Sequence, residues 1–173
     1  MKLEKYLAGE FDEIYTIMEQ SFPEDERRTY EQQKALLNEN SYSIYVYKEN
    51  KKVISFISVW QFDGFSYIEH FAVNGNFRNR GLGAKMLTEL VPKLSGIVCL
   101  EAELPETEMA VRRIGFYERN GFFTNDYPYV QPPYSKEKNP VDLLIMTYGR
   151  KINENEFENI KNNLYKKVYN VKD

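Results

Sequence analysis

Cysteine and histidine occur once each in these 173 residues. The single thiol, Cys99, cannot close an intrachain disulfide, which suits a reducing compartment. A lone His70 leaves no set of His and Cys ligands for zinc, so no metal is expected. Long apolar runs are also missing: none approaches the ~20 residues of a membrane span. The opening Met1-Lys2-Leu3-Glu4-Lys5-Tyr6 turns acidic too early for a signal peptide. Basic excess is absent as well: 23 Lys and Arg stand against 26 Asp and Glu, a net charge of −3 with a pI near 5.4. Such a balance gives no global attraction to nucleic acid or to an anionic membrane. Internal repeats and low-complexity tracts are lacking too. What remains is 42% hydrophobic and 15% aromatic. Those values fit a cytoplasmic globular chain, long enough for one domain with a real core.

Apolar spacing sets the expected elements. Phe11, Ile14, Tyr15, Ile17 and Met18 share one helical face between Glu10 and Phe22, and Pro23 stops that helix. Thr29 caps a second helix over Tyr30–Asn38, after the charged linker Glu24–Arg28. Strands are expected at Tyr42–Tyr47, Val53–Phe62 and Phe65–Val73, the last two joined by the hairpin signal Asp63-Gly64. Leu82, Met86, Leu87, Leu90 and Leu94 recur at helical spacing up to Gly96, and Ile97 begins another strand. A helix over Thr107–Asn120, ended by Gly121, leads to a closing pair of strands, Phe122–Val130 and Val141–Tyr148. Finally, Phe157, Ile160, Leu164, Val168 and Val171 predict an amphipathic helix over 153–171, appended to a domain of residues 1–150 and packed on it or on a partner.

The segment richest in chemistry is Arg78-Asn79-Arg80-Gly81-Leu82-Gly83, which leaves an apolar strand and opens an apolar-periodic helix. Glycines there let backbone N–H groups approach a ligand closely, and the helix N-terminus and the arginines add positive charge. A diphosphate fits such a turn. No Gly-Lys-Ser/Thr follows, and the spacing is not G-x-G-x-x-G, so P-loop and dinucleotide folds are disfavoured.

With its flanks, Tyr67–Val73 before and Arg78-x-x-Gly81-x-Gly83 after, the turn resembles the acetyl-CoA signature of the GCN5-related N-acetyltransferase (GNAT) superfamily. A second match lies about 35 residues on, where Tyr117-Glu118-Arg119-Asn120-Gly121-Phe122 resembles the family's Tyr-x-x-x-Gly-Phe helix end. The element order, βααβββαβαββ, is also the family's. The resemblance implies an α/β (α+β) fold, with a mixed, mostly antiparallel, twisted sheet of about seven strands flanked by helices. It further implies that the backbone of Arg78, Asn79, Arg80, Gly81, Leu82, Gly83 and Ala84 binds the diphosphate of coenzyme A. The main chain of Phe71, Ala72 and Val73 would then pair with the pantetheine amides. Many members carry Asn and Ala where this chain has Ala110 and Arg113. That Asn contact is therefore lost, and Arg113 is assigned to a cofactor phosphate in its place.

Tyr117 matches the tyrosine that protonates the departing thiolate. Strand alternation puts Tyr67 and Glu69 on one face and Ile68 and His70 on the other. Family bases recur at the positions of Tyr67 and Glu69, which selects Glu69 as general base. His70 is read as a structural partner, although a β-bulge near Phe71 would change the side it meets. Glu101 and Glu103 share a face of the fifth strand and would attract a cationic amine, beside an aromatic wall that includes Tyr127, Tyr129 and Tyr134. The expected activity is therefore transfer of an acetyl group from acetyl-CoA to a primary amine of a small molecule or peptide. Attack is direct, because Cys99 lies in an apolar strand with no base beside it. A non-catalytic acyl-CoA-binding or interaction module on the same fold is the alternative. No nucleic-acid or membrane partner is expected, and a homodimer stays open.

Overall fold

The computed structural model describes residues 1–172. Among them runs a mixed, mostly antiparallel eight-stranded sheet flanked by helices, the fold class expected from the sequence. The chain forms two compact units, Met1–Val98 and the residues from Cys99 onward.

In the first unit, strands β1 (Glu4–Lys5), β2 (Tyr42–Glu49), β3 (Lys52–Phe62) and β4 (Phe65–Val73) lie side by side in chain order, each antiparallel to the next. Short turns dictate that order. Asn50 and Lys51 both take positive φ (50° and 66°) between β2 and β3, the backbone a two-residue hairpin needs. Gly64 does the same between β3 and β4 at φ 82°. Helix α1 (Phe11–Ser21) buries the five apolar residues that define its face. Helix α2 (Tyr30–Ala35) starts in a capping box: the Gln32 N–H donates to Thr29 Oγ1 at 3.3 Å and the Thr29 N–H to Gln32 Oε1 at 3.2 Å. It is shorter than expected, tightening into a 3₁₀ turn over Leu36–Asn38. Helix α3 (Leu82–Leu90) follows the turn after β4 and buries Met86, Leu87 and Leu90.

Pairing in β4 is not regular. His70 faces Ser58 and Ile68 faces Val59, so Glu69 is an inserted residue, a bulge two positions before the expected one near Phe71. The insertion breaks the alternation that would separate Glu69 from His70. Their side chains instead approach to 4.0 Å.

The second unit holds most of β5 (Ile97–Glu103), with α4 (Glu108–Arg119), β6 (Phe122–Thr124), β7 (Tyr129–Gln131), β8 (Val141–Tyr148) and α5 (Glu154–Asn163). Strand β8 is its spine, antiparallel to β5, β6 and β7. The single strand expected over Phe122–Val130 is two short ones. Asn125, 1% exposed, makes the last backbone bond of β6 to β8, its N–H donating to Ile145 O at 3.0 Å, and spends its side chain on Ile145 O, Thr147 Oγ1 and the Ile152 N–H, and Pro128 has no N–H for a ladder. The appended helix also differs at its end: after Asn163 it widens into a π-helical turn, Leu164–Val168. It packs on its own chain, Phe157 stacking on Tyr127 at 4.7 Å.

Candidate active site

The turn after β4 is built as a concentration of unspent N–H groups. Gly81 caps α3 in the left-handed conformation, φ 71°, and Asn79 two residues earlier is also left-handed at φ 62°. Lys85 N–H to Gly81 O, 3.1 Å, is the first i→i−4 bond of the helix. The N–H groups of Leu82, Gly83 and Ala84 precede it and have no intrahelical acceptor. With the positive end of the helix dipole they favour an anion. The arginines frame this turn: Arg78 Nε donates to Val73 O at 3.0 Å, and Arg80 donates to Asn76 O at 3.2 Å while stacking on Phe77. Both are exposed. Phe71, Ala72 and Val73, which lead into the turn, pair on one side with Ile57, Phe56 and Ser55.

Glu69 sits in a closed polar nest. Its side chain is fully buried; Arg28, 7% exposed, donates to Oε1 at 2.6 Å, and Trp60 Nε1–H donates to Oε2 at 2.8 Å. Gln33 supports the pair from α2, accepting from Arg28 at 3.4 Å and donating to the Tyr42 hydroxyl at 2.6 Å. Burial pushes the Glu69 carboxyl up, but Arg28, His70 and Trp60 together outweigh it and hold the group below its ordinary value. It is therefore a carboxylate at neutral pH, anchored and weakly basic. His70 lies beside it, with Nε2 at 2.9 Å from Glu26 O. A carbonyl only accepts, so Nε2 carries the proton. Burial holds the imidazole below its ordinary pKa, which makes it neutral at pH 7. Arg28 and Glu26 both precede α2, so these two contacts strap the linker between α1 and α2 to β4. Sequence reading assigns neither Arg28 nor Trp60 to the Glu69 carboxylate; Glu24–Arg28 reads there as a charged linker.

In the second unit, Tyr117 is 7% exposed in the last turns of α4, edge-on to Phe116 (5.4 Å) and Phe122 (5.7 Å). Burial pushes its phenol up to about 12, Arg113 opposing, so the hydroxyl keeps its proton throughout the physiological range. Arg113 is engaged by Glu103 at 2.5 Å, both side chains about one-third exposed. Glu101, two residues along β5, takes different partners: Tyr129 donates to Oε1, and the Tyr169 hydroxyl lies 2.9 and 2.8 Å from its two oxygens. Cys99 is buried and its thiol is pushed up by desolvation, with Glu101 adding to the shift. Among the described residues no group of three or more His, Cys, Asp or Glu side chains is placed to hold a metal ion, and no helix is long and apolar enough to cross a membrane.

A family model for the GNAT acetyltransferases matches residues 11–122. YjbC of Bacillus subtilis, which carries an acetyltransferase assignment, is 29% identical over 109 residues. That match takes in 62% of this chain but 55% of YjbC, so the chain spans about half the length of this curated relative. A solved GNAT-family structure from Bacteroides thetaiotaomicron aligns at 32% identity and TM-score 0.90, over 99% of this chain and all of that one. An aminoglycoside 6'-N-acetyltransferase solved with coenzyme A has the same fold at TM-score 0.63 and 13% identity, over 85% of this chain and 96% of that one.

Proposed function

Because the chain belongs to the GNAT acetyltransferase family, we propose that it moves an acetyl group from acetyl-CoA to a primary amine of a small molecule or peptide. The turn after β4 carries this reading: three helix-start N–H groups, Leu82 to Ala84, behind a left-handed Gly81 and two exposed arginines, Arg78 and Arg80. Its chemistry fits a diphosphate, and the coenzyme A in the aminoglycoside acetyltransferase structure supports the same ligand here.

In the proposed reaction the neutral amine attacks the thioester carbonyl. The C–N bond forms, the tetrahedral intermediate collapses, and the C–S bond breaks. Glu69 is assigned the amine proton, directly or through one water. A weakly basic carboxylate suffices for this, because the nitrogen becomes strongly acidic as the C–N bond forms. Tyr117 is assigned the proton that the departing thiolate takes. A phenol held near 12 gives it up only as charge builds on sulfur, and recovers it readily afterwards.

Thiol release from acetyl-CoA, followed across a panel of primary amines, tests the activity. At least one amine should accelerate release and be recovered with an added acetyl group. Tyr117→Phe should lower kcat by roughly a hundredfold, the scale of a lost general acid, while acetyl-CoA affinity changes little. Wild-type turnover in Tyr117→Phe would remove that residue from the mechanism.

A further inference from the structure

Glu69 is the inserted residue of the β4 bulge, so the pleat of the sheet does not by itself aim its side chain. Several single bonds separate its backbone from its carboxylate, and two donors set them. Arg28 reaches Oε1 at 2.6 Å from the linker before α2, and Trp60 Nε1–H reaches Oε2 at 2.8 Å from β3. The carboxylate is fully buried, so it has no solvent in which to turn toward a proton.

The two donors differ in kind. Arg28 brings a full charge on a long stem of many rotamers. Trp60 brings no charge and a single N–H, because an indole has no other donor and no acceptor. Packing aims that N–H. The ring is 3% exposed, stacked on Phe62 at 5.9 Å and 15°, and set against Tyr42, its cross-strand neighbour on β2, at 5.0 Å. A donor whose plane is held by two rings points one way.

We infer that Trp60 is a positioning residue for acetyl transfer, its indole N–H fixing the direction in which Glu69 receives the amine proton. The inference rests on the acetyltransferase reading with Glu69 as base. Proton transfer is steep in distance and direction, so a carboxylate left unaimed loses rate while it keeps its charge. Titratable and charged groups face Glu69 from three elements: Arg28 on the linker, His70 on β4 and Tyr42 on β2. Burial keeps the imidazole neutral and the Tyr42 hydroxyl protonated. Arg28 therefore supplies the charge that holds the anion, and Trp60 supplies its direction.

Trp60 is the only tryptophan in the chain, so analogues supplied in the growth medium replace this ring alone. Replacing Trp60 by benzothienylalanine exchanges the N–H for sulfur and keeps the ring shape and its stacking. Above the acid limb of the pH profile, where Glu69 is ionised in both proteins, kcat should fall by about tenfold or more. Acetyl-CoA affinity should not change. The acid limb should move up, because the anion loses a hydrogen bond. Replacement by 5-fluorotryptophan keeps the N–H and should restore both. A ring that serves packing alone would change Tm and leave the acid limb in place. If the benzothienyl protein does not fold, Trp60→Phe makes the same comparison. Isotope-labelled wild type gives one indole N–H resonance, which should move in Glu69→Gln; a resonance that stays in place overturns the aiming of the carboxylate. Acetyl transfer with unchanged kcat and acid limb in the folded variant removes the Trp60 role alone. No transfer to any amine by wild type removes the acetyltransferase reading, and the indole resonance still decides whether Trp60 aims Glu69.

Discussion

At Glu69 two opposing effects meet on one carboxyl: burial, which favours the neutral acid, and the Arg28 guanidinium at 2.6 Å, which favours the anion. The anion prevails, so the pair stabilises the fold above the ordinary carboxylate range. That stability is lost as pH falls through the depressed value in the folded state. Replacing Arg28 shifts the balance. In Arg28→Gln the largest opposition to burial is gone and His70 and Trp60 remain against it, so the Glu69 carboxyl should rise from its depressed value. The acid limb of the kcat/KM profile should then move up by about one pH unit or more. Stability should fall by roughly 3–5 kcal/mol, because a buried carboxylate loses its partner. Arg28→Lys keeps the charge and should restore much of both. An acid limb that stays in place in a folded Arg28→Gln would separate Glu69 from the rate. Sequence reading selects Glu69 through the family resemblance of the strand that carries it. It misses Arg28, because the partner lies 41 residues away and the bulge that turns the carboxylate is a property of strand pairing.

Elements followed local pattern where local forces decide them. The five-residue apolar face of α1, the Thr29 cap and the Asp63-Gly64 hairpin are all readable from neighbours in sequence. Two departures arise from contacts that spacing does not encode. The Asn125 side chain is fixed by Thr147 and Ile152 and Pro128 lacks an N–H, and one expected strand is split there into β6 and β7. The change from α to π after Asn163 leaves the apolar spacing almost unaltered, so it is silent in sequence. Gly96 shows how close two turns come in the first unit: it has φ +69°, and a Cβ there would lie 2.1 Å from the Gly64 carbonyl oxygen. Gly96→Ala should therefore cost about 2 kcal/mol or more, from left-handed strain together with backbone displacement. That corresponds to a Tm lower by roughly 5 °C. Gly9→Ala, with nothing within 4 Å of the added carbon, is the matched control and should leave Tm nearly unchanged. Equal melting of the two variants would show that the Gly64–Gly96 approach relaxes freely.

For the molecule as a whole, two short motifs in the right order carried most of the identification, because each is tied to backbone geometry. The first needs Gly81 in the left-handed region to start α3, and the second needs Gly121, φ 88°, to end α4. Composition narrowed the field, with a net charge of −3 and one cysteine, but said nothing of strand order. The sequence β1-β2-β3-β4 of the first unit and the β8 spine of the second are set by long-range pairing. Glu101, Glu103 and the tyrosines of the second unit were legible only as residue types; that Glu103 meets Arg113 while Tyr129 and Tyr169 donate to Glu101 required coordinates. The proposed function rests on the turn after β4 binding a diphosphate, so calorimetric titration of the wild-type chain and Gly83→Val with acetyl-CoA tests it most directly. Wild type should bind one acetyl-CoA per chain at micromolar strength, near −8 kcal/mol. Gly83→Val should bind about tenfold or more weakly, because a branched side chain intrudes on the N–H groups that open α3. No binding by wild type, or equal affinity in the two proteins, would contradict the account.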